Sequence, residues 1–586
     1  MKLRSLLLAA FVALVAGPAA VAQMTCVASA PNPTFLRSNG LSELAGDIVI
    51  TCRGGTPVTS GAFPTINLSM FFNTGVTSRV LVPASPGGPG LTEAVLIIDT
   101  PAAADQRPCL TPVCNNTDNI IQSRYDGFNS LSWQNIPVNP PGPNADRILR
   151  VRNVRLNAST LPPNGPALVF ISLSGAQVQT FNNPQQTIAN VRTGVTFEAR
   201  SAADAALTGP INLTACTAYN LDLANNVSAG AFSTPGGRTM TVKFTEGFSN
   251  AFKRRTIATS VAEPQATASQ DNPTTFYNTE SGFTNPALGG ATGLARMGFA
   301  DGGTILRAVF TNIPAGARVF VSTRELTAGS TVDATNTPTT KARLTGSPGA
   351  PFTAVPADTQ LDGGLKLVPP SGEVSWEVLE TDVNAAESVA FAVVIAYGAG
   401  TQPAISTVNV NGGFGPQSTV AAGTGGDPVP RFAGLTGPVP LIAINACRTS
   451  LLFQFITNQA GFDTGISVSN TSRDTLSTAA QNGRCTATFF PTPFNATTQA
   501  QFPPLPSPAL QGGEQWTFTV SGARPGFQGY MMVNCDFQFA HGYAFISDFG
   551  SKNLAQGYQA LVVPDRPRIA DPFSSAGAGT GEQLVH

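Results

Sequence analysis

Histidine is the side chain best suited to acid–base or metal chemistry, and the chain contains only two, His541 and His586. A zinc site with three histidine ligands is therefore impossible, and a Ser-His-Asp triad could use only the interior His541. A catalytic histidine also needs a positioned nucleophile, yet neither a G-x-S-x-G nor an H-E-x-x-H motif occurs. We interpret His541 as a structural residue of an aromatic-rich strand and keep it as a speculative binding residue.

Three carboxylates, those of Asp463, Asp536 and Asp548, could act as an acid and a base near the C-terminus. A glycosidase holds two such groups roughly 5–10 Å apart across a sugar, and the sequence alone does not give that distance. The same oxygens could hold Ca²⁺, although no EF-hand loop is present. Asp463 precedes Thr464-Gly465 and equally suits a turn. We predict no catalytic residue, no metal site and no cofactor, and keep Asp463 as a speculative binding residue.

The aromatic residues bear on carbohydrate binding. The chain has 36 Phe against seven Tyr and three Trp, whereas sugar platforms favour Trp and Tyr because these rings carry a polar group. The excess of Phe therefore favours core positions. Trp133, Trp376 and Trp516 each fall within a strand-like run, as core residues would. Trp516 follows Gly-Gly-Glu-Gln, so we single it out as a further speculative binding residue.

The eight cysteines suggest disulfide bonds rather than metal ligands. Residues 1–22 read as a signal peptide with cleavage between Ala22 and Gln23, and an even number of cysteines in an exported chain favours disulfides. The pairs that sequence proximity favours are Cys26–Cys52, Cys109–Cys114 and Cys485–Cys535, with Cys216 and Cys447 left to join two domains. Eight cysteines allow 105 pairings, so other connectivities remain open.

Charge and hydropathy restrict the partners. The chain carries 33 Lys+Arg and 34 Asp+Glu, only 11% of its residues. Nucleic acid is an improbable partner because phosphate binding needs clustered excess Lys and Arg. No stretch after the signal peptide is long and apolar enough for a membrane span. Protein, matrix or glycan surfaces, or a second copy of the chain, are the partners that we expect.

The elements that would position these residues are short strands. Residues 65–71 alternate polar and apolar side chains, as a half-buried strand does, and residues 93–99 form the continuous apolar run of a strand covered on both faces. With 105 Gly and Pro residues, helical bundles are disfavoured. We expect an all-β chain of tandem immunoglobulin-like β-sandwiches joined by Gly/Pro/Thr-rich linkers. The expected parts are a signal peptide (1–22), N-terminal β domains (23–255), a linker (256–290), an immunoglobulin-like sandwich (291–410), a second linker (411–439), an aromatic-rich sandwich (440–564) and a disordered tail (565–586).

Several phrases resemble a known group of proteins. TNQAGFDTGISVSNTS, GRCTATFF, GFQGYMMVNCDFQFAHGYAFISDFG and AQGYQALVVP resemble a C-terminal module of large secreted multi-domain proteins of soil bacteria, to which no activity is assigned. SNGLSELAGDIVITCRGGTP and RILRVRNVRLNAS are similar to other parts of the same proteins. The resemblance implies an exported, multi-domain β architecture and transfers no catalytic role to any position.

Together these features favour a secreted or cell-surface protein that is not an enzyme. Low charge and exposed strand edges suit adhesion, matrix or assembly contacts, with self-association as one form of them. The alternative is an extracellular protein that binds or processes carbohydrate with its C-terminal module. A hydrolase centred on His541 is a third and more remote hypothesis.

Overall fold

The computed structural model describes residues 23–84, 90–201, 205–215, 239–257, 269–290, 294, 296–326, 340–345, 365–397, 403–419, 427–476, 480–495, 497–498 and 500–563. The expected signal peptide and the whole of the expected tail lie outside these residues. The regular secondary structure of the described residues is almost entirely strand, which confirms the all-β, tandem-sandwich class. No helix within the described ranges has the length and apolar character needed to cross a membrane.

The first unit is a twelve-stranded sheet that encloses one core. Its strands run in the order β13-β1-β4-β10-β7-β8-β9-β5-β12-β14-β2, with β6 beside β7 and with β3 and β11 paired separately. Strands from both halves of this order contribute to one apolar cluster, so the two halves face each other. The strands are β1 Met24–Ser29, β2 Thr34–Arg37, β3 Glu43–Leu44, β4 Ile48–Gly54, β5 Thr65–Phe72, β6 Val80–Val82, β7 Leu91–Ile98, β8 Ile120–Gly127, β9 Ser130–Pro137, β10 Gly142–Arg152, β11 Arg155–Leu156, β12 Pro166–Ser174, β13 Val178–Asn182 and β14 Gln185–Arg192.

The second unit is a sandwich of a five-stranded and a six-stranded sheet. The sheets are β15-β17-β23-β19-β21 and β16-β25-β24-β18-β22-β20. Trp376 and Phe391, one from each sheet, stack with ring centroids 4.0 Å apart at the centre of the core. The strands are β15 Val195–Ser201, β16 Ile211–Thr214, β17 Thr239–Glu246, β18 Ile305–Thr311, β19 Arg318–Ser322, β20 Lys341–Leu344, β21 Leu365–Leu367, β22 Glu373–Glu380, β23 Ser388–Ala396, β24 Ser406–Gly415 and β25 Val439–Asn445.

The third unit packs a five-stranded sheet, β31-β28-β33-β26-β36, on a four-stranded sheet, β32-β27-β34-β35, with β29 and β30 as a separate hairpin. A four-residue helix, α1 (Val520–Ala523), follows β32. Three short 3-10 helices occur elsewhere, at Ala103–Asp105, Ala158–Thr160 and Pro286–Gly290. The strands are β26 Thr449–Thr457, β27 Asp463–Asn470, β28 Cys485–Phe490, β29 Phe494–Asn495, β30 Ala500–Gln501, β31 Leu505–Pro506, β32 Gln515–Thr519, β33 Gln528–Cys535, β34 Ala540–Ser547, β35 Ala555–Gln559 and β36 Leu561–Val563.

The unit boundaries differ from those expected. Strands β15, β16 and β17 were assigned to the N-terminal part, and β25 mostly to the C-terminal part, but all four complete the second sandwich. β17 pairs with β23 and β25 pairs with β24, which are contacts between residues far apart in sequence. The second unit therefore begins near residue 195 and ends near residue 445. Local composition did not predict these boundaries, because the sheets are completed by strand pairing between distant parts of the sequence.

The segment expected to be a linker, 256–290, is structural over its described part, 269–290. Phe283, with Leu288, Leu294 and Met297, covers the outer side of β7 and β8. This cover confirms that β7 is buried on both faces, as its continuous apolar run predicts. The second expected linker, 411–439, is also partly structural: β24 continues to Gly415, and Phe432 is fully buried. Composition did not predict the structure of these two segments, because contacts with other parts of the chain hold them in place and they have no regular apolar period of their own.

Arginines of the first unit hold the 269–290 segment in place. Arg152 is buried and donates to the backbone carbonyls of Asn272, Pro273 and Thr275 at 2.9–3.2 Å. Arg155 is fully buried and donates to the Glu280 carbonyl at 2.7 Å and to the Glu93 carboxylate at 3.1 Å. Both arginines therefore lie beneath the 269–290 segment and not in solvent.

A buried cluster of ion pairs joins the first unit to the same segment. Arg37 donates to both oxygens of Glu43, at 2.7–3.0 Å, and to both oxygens of Glu280, at 2.7 and 3.0 Å. It also donates to the carbonyl of Ala251 and the hydroxyl of Thr304. All three charged side chains are at most 2% exposed. A buried ion pair is costly unless every donor and acceptor is satisfied, and here the guanidinium is surrounded by acceptors.

The three disulfides that sequence proximity favours are present. Cys26–Cys52 joins directly opposed residues of β1 and β4, and Cys485–Cys535 does the same for β28 and β33. Cys109–Cys114 closes a short loop. Cys447 is disulfide-bonded, and Cys216 lies outside the described residues. The strands that precede these two cysteines, β16 and β25, are parallel neighbours in one sheet, which does not fit the expectation that this pair joins two domains.

Candidate functional site

The Asp463 carboxylate is a local structural acceptor. It lies at the start of β27 and is 5% exposed. Its Oδ1 accepts hydrogen bonds from the backbone N–H of Thr464 at 2.8 Å and of Ser521 at 2.9 Å, and its Oδ2 accepts from the Ser521 hydroxyl. Asp463 therefore fixes the first turn of α1 to β27. Its proposed binding role is not supported, because both oxygens are occupied inside the fold.

Of the other two candidate carboxylates, that of Asp548 lies at the same end of the sandwich as Asp463, because Asp463 is opposite Ser547, whereas that of Asp536 lies at the other end. Asp548 lies in the turn after β34, where it accepts hydrogen bonds from the backbone N–H groups of Gly550, Lys552 and Leu554. These bonds hold the pKa of Asp548 below its usual value, although desolvation opposes them. Asp536 follows β33 at the opposite end of the sandwich, roughly 25 Å away at about 3.3 Å per residue. The three carboxylates therefore do not converge on one substrate.

Trp516 is a core residue rather than a binding residue. It is 7% exposed, belongs to the C-terminal apolar cluster and packs on Phe518 with ring centroids 4.7 Å apart. The preceding glycines create a turn but do not expose the ring, because β32 points alternate residues inward. Trp133 and Trp376 are likewise buried, as expected.

His541 lies on the outward side of β34, half-buried and opposite Ser469 of β27. Asp463 is six residues further along β27, so the two candidates are about 20 Å apart along the strand direction. They cannot share a ligand's reacting centre. Asp463 therefore cannot orient the imidazole of His541.

The residues that sequence reasoning missed stand beside His541. Along β34 the small residues Ala540, Gly542 and Ala544 point inward, whereas Tyr543 and Phe545 point outward and are each 46% exposed. The excess of Phe was interpreted as core, but these rings form a surface. The signal that could have shown it is the alternation of small and aromatic residues, since the small side chains fill the thin interior.

We call this surface the outer face and define it by the outward residues of the four-stranded sheet. They are Gly465, Ser467 and Ser469 on β27, Gln515, Thr517 and Thr519 on β32, His541, Tyr543, Phe545 and Ser547 on β34, and Ala555, Gly557 and Gln559 on β35. No Lys, Arg, Asp or Glu occurs among them; Asp463, which is opposite Ser547 on the same face, is buried and bonded to Ser521 of α1. The outer face therefore consists of two aromatic rings surrounded mainly by hydroxyl and amide groups.

Two glycines shape the outer face. A Cβ at Gly557 would lie 1.8 Å from the Tyr543 hydroxyl oxygen, so the tyrosine ring lies across this glycine. At Gly465, opposite Phe545, a Cβ would meet nothing closer than a carbonyl oxygen at 3.8 Å. The space beside the Phe545 ring is therefore open, and a flat partner can approach the ring there.

An apolar cleft of about 470 Å³ opens at one end of the same sandwich. It is lined by aromatic and aliphatic side chains with amides at its rim, and its lining contains no charged residue; the side chains include Phe455, Phe462, Gln528, Ile546 and Leu554. Phe455 and Leu554 are 45% and 53% exposed. The outer face and this cleft together give the C-terminal sandwich an extended uncharged, aromatic surface.

Comparisons with known proteins find only distant structural similarity. No protein-family model matches it, and no curated protein does. Solved structures with distant similarity include the C-terminal domain of the AgI/II polypeptide BspA of Streptococcus agalactiae, which is 8% identical over 72% of this chain and 99% of its own, with a TM-score of 0.25. The major pilin subunit BcpA of Bacillus cereus is 9% identical over 92% and 93%, with a TM-score of 0.21. The major pilin SpaD of Corynebacterium diphtheriae is 8% identical over 89% and 86%, with a TM-score of 0.18. Similarities this low carry no functional argument, so the function must be argued from the surface of the chain.

Proposed function

We propose that this protein is a non-enzymatic extracellular or cell-surface adhesion or structural protein, and that its C-terminal sandwich makes the contact. Its three described disulfides suit an oxidising, exported location. Two of them staple neighbouring strands, which is useful where a fold must persist outside the cell.

The observation that carries the proposal is the outer face. Exposed apolar side chains that cluster on a surface can mark a site of protein or ligand contact. Completing the burial of Tyr543 and Phe545 would remove about 100 Å² of apolar surface for each ring, or about 2.5 kcal/mol apiece before association costs. The groups around the two rings are uncharged. A partner that covers this face therefore does not have to desolvate a charged side chain.

Self-association is the contact that can be tested first, by sedimentation of the exported chain over a wide concentration range. We expect concentration-dependent association that the double variant Tyr543→Ser/Phe545→Ser abolishes. The matched control is Phe71→Ser/Phe170→Ser, which removes another exposed, directly opposed pair of rings on the first unit. A wild-type chain that stays monomeric at the highest concentration rejects self-association, and equal effects of both double variants reject the outer face.

A neutral glycan is the second candidate partner, and the composition of the outer face favours it. A tyrosine ring beside serine, threonine and glutamine side chains offers stacking together with hydrogen bonds to sugar hydroxyls. Binding on a glycan array, competed by the free sugar and lost in Tyr543→Ser, would support this function over self-association. Substitutions of Asp463 or Trp516 are unsuitable tests because both residues stabilise the fold.

A further inference from the structure

A second cavity, separate from the C-terminal surface, lies where the first unit meets the 248–279 region. Its volume is about 190 Å³, enough for roughly six water molecules at about 30 Å³ each or for one small organic molecule. We call it the junction cavity. Four aromatic residues, Phe35, Phe248, Phe276 and Tyr277, form part of its walls, together with aliphatic and polar residues that include Lys253.

Lys253 is the unusual member of this lining. The residue is 6% exposed, yet its ammonium group makes no hydrogen bond or ion pair with any described residue. The charged groups that face it are Arg37, Arg155, Glu43 and Glu280. The two carboxylates are already bonded to Arg37. Desolvation, and then the charge of Arg37, lower the pKa of Lys253.

A second polar atom of the junction cavity also lacks a partner. Asn250 lies at a positive φ of 65°, and its amide nitrogen donates to Asn278 at 3.3 Å, but its buried Oδ1 accepts no hydrogen bond. Buried polar groups normally have partners, because desolvation without a hydrogen bond costs free energy. The cavity thus presents an unpaired cationic donor and an unpaired acceptor between aromatic rings.

We propose that the junction cavity binds a small aromatic carboxylate. The carboxylate would accept from the Lys253 ammonium group, the aromatic body would pack against Phe276 and the contacting rings of Phe35 and Phe248, and a donor on the ligand would satisfy Asn250 Oδ1. A carboxylate fits better than a neutral ligand because Lys253 lacks a direct anionic partner. The aromatic walls select an aryl body over an aliphatic one, since rings pack well edge to face.

The probe is phenylacetate, titrated against the full chain by calorimetry, with phenylacetamide and acetate as matched probes that lack the charge or the ring. We expect a dissociation constant of about 1 mM or lower for phenylacetate. The amide and acetate should each bind at least about tenfold more weakly. Equal binding of phenylacetate and phenylacetamide would overturn the role of Lys253.

Variants locate the site. Lys253→Met should weaken phenylacetate binding at least about tenfold, while Lys366→Met, at an exposed position of β21, should leave it unchanged. Should Lys253→Met fail to fold, Phe276→Ala decides: this wall residue is 40% exposed and lies outside the buried ion pairs. Unchanged affinity in Phe276→Ala, or a crystal structure with phenylacetate bound elsewhere, would refute the proposal.

Discussion

Replacing Arg37 by Met should destabilise the first two units by about 4 kcal/mol at neutral pH. The substitution leaves the carboxylates of Glu43 and Glu280 buried without their shared cation, and breaking a buried pair costs about 3–5 kcal/mol. The cost is limited because a stranded carboxyl can take up a proton. Neutralising one group at pH 7 from a pKa of about 4.3 costs about 3.7 kcal/mol, and the nearby charge of Lys253 still favours the ionised form of Glu280, although the two groups form no ion pair.

The loss of stability in Arg37→Met should depend on pH. Burial opposes ionisation of Glu280, but the charges of Arg37 and Lys253, with hydrogen bonds from Arg37 and Thr304, outweigh it and hold its pKa below the usual value. A depressed pKa adds stability above the unfolded pKa, and this stability is lost as pH falls through the folded pKa. The variant lacks that contribution. The difference between wild type and Arg37→Met should therefore be largest at pH 7 and shrink towards pH 4.

Hydrogen exchange measured by mass spectrometry is the suitable assay, because it reports each unit separately. After correction for intrinsic rates, peptides of the first two units should exchange about 1,000-fold faster in Arg37→Met at pH 7. Peptides of the C-terminal sandwich serve as an internal reference and should not change. Arg53→Met removes an exposed ion pair with Asp146 and should have no measurable effect. A loss in Arg37→Met that is no larger than in Arg53→Met, or one independent of pH, would refute the reasoning.

Three further predictions concern other parts of the chain. Replacing both Cys485 and Cys535 by Ala opens a loop with a sequence separation of 50 and should lower the stability of the C-terminal sandwich by about 4 kcal/mol, measured by urea denaturation. Burial raises the pKa of Glu246 to about 7, so the folded state keeps a proton that the unfolded chain has lost. Stability should therefore fall as pH rises from about 4.3 to about 7, and Glu246→Gln should flatten this dependence in thermal unfolding; an unchanged slope would contradict it. Gly557→Ala should displace the Tyr543 ring and weaken partner binding without changing the melting temperature, whereas full binding would show that the ring's position is unimportant.

The local sequence pattern was sufficient to predict individual strands and the disulfide bonds within one unit. β5 alternates exposed and buried residues, and β7 is buried on both faces, as their sequences predict. Cys26–Cys52 and Cys485–Cys535 followed from proximity within one unit. These features depend on side-chain period and chain distance, which a sequence displays directly. The alternation of small and aromatic residues along β34 also indicates the outer face, because it places the aromatic residues on one side of the strand.

What the tertiary structure decided is which surfaces are covered. Arg152 and Arg155 are buried because a distant segment covers them and its carbonyls accept their hydrogen bonds, while β7 packs against the same segment. Strands β16 and β17 belong to the second sandwich because their partners, β25 and β23, lie more than a hundred residues away, and β15 joins it by pairing with β17. Trp516 and Phe545, both aromatic strand residues, differ only in the face on which they fall. Low charge was evident from the sequence, but the three-dimensional fold placed many of the few charges inside and left an uncharged aromatic face outside.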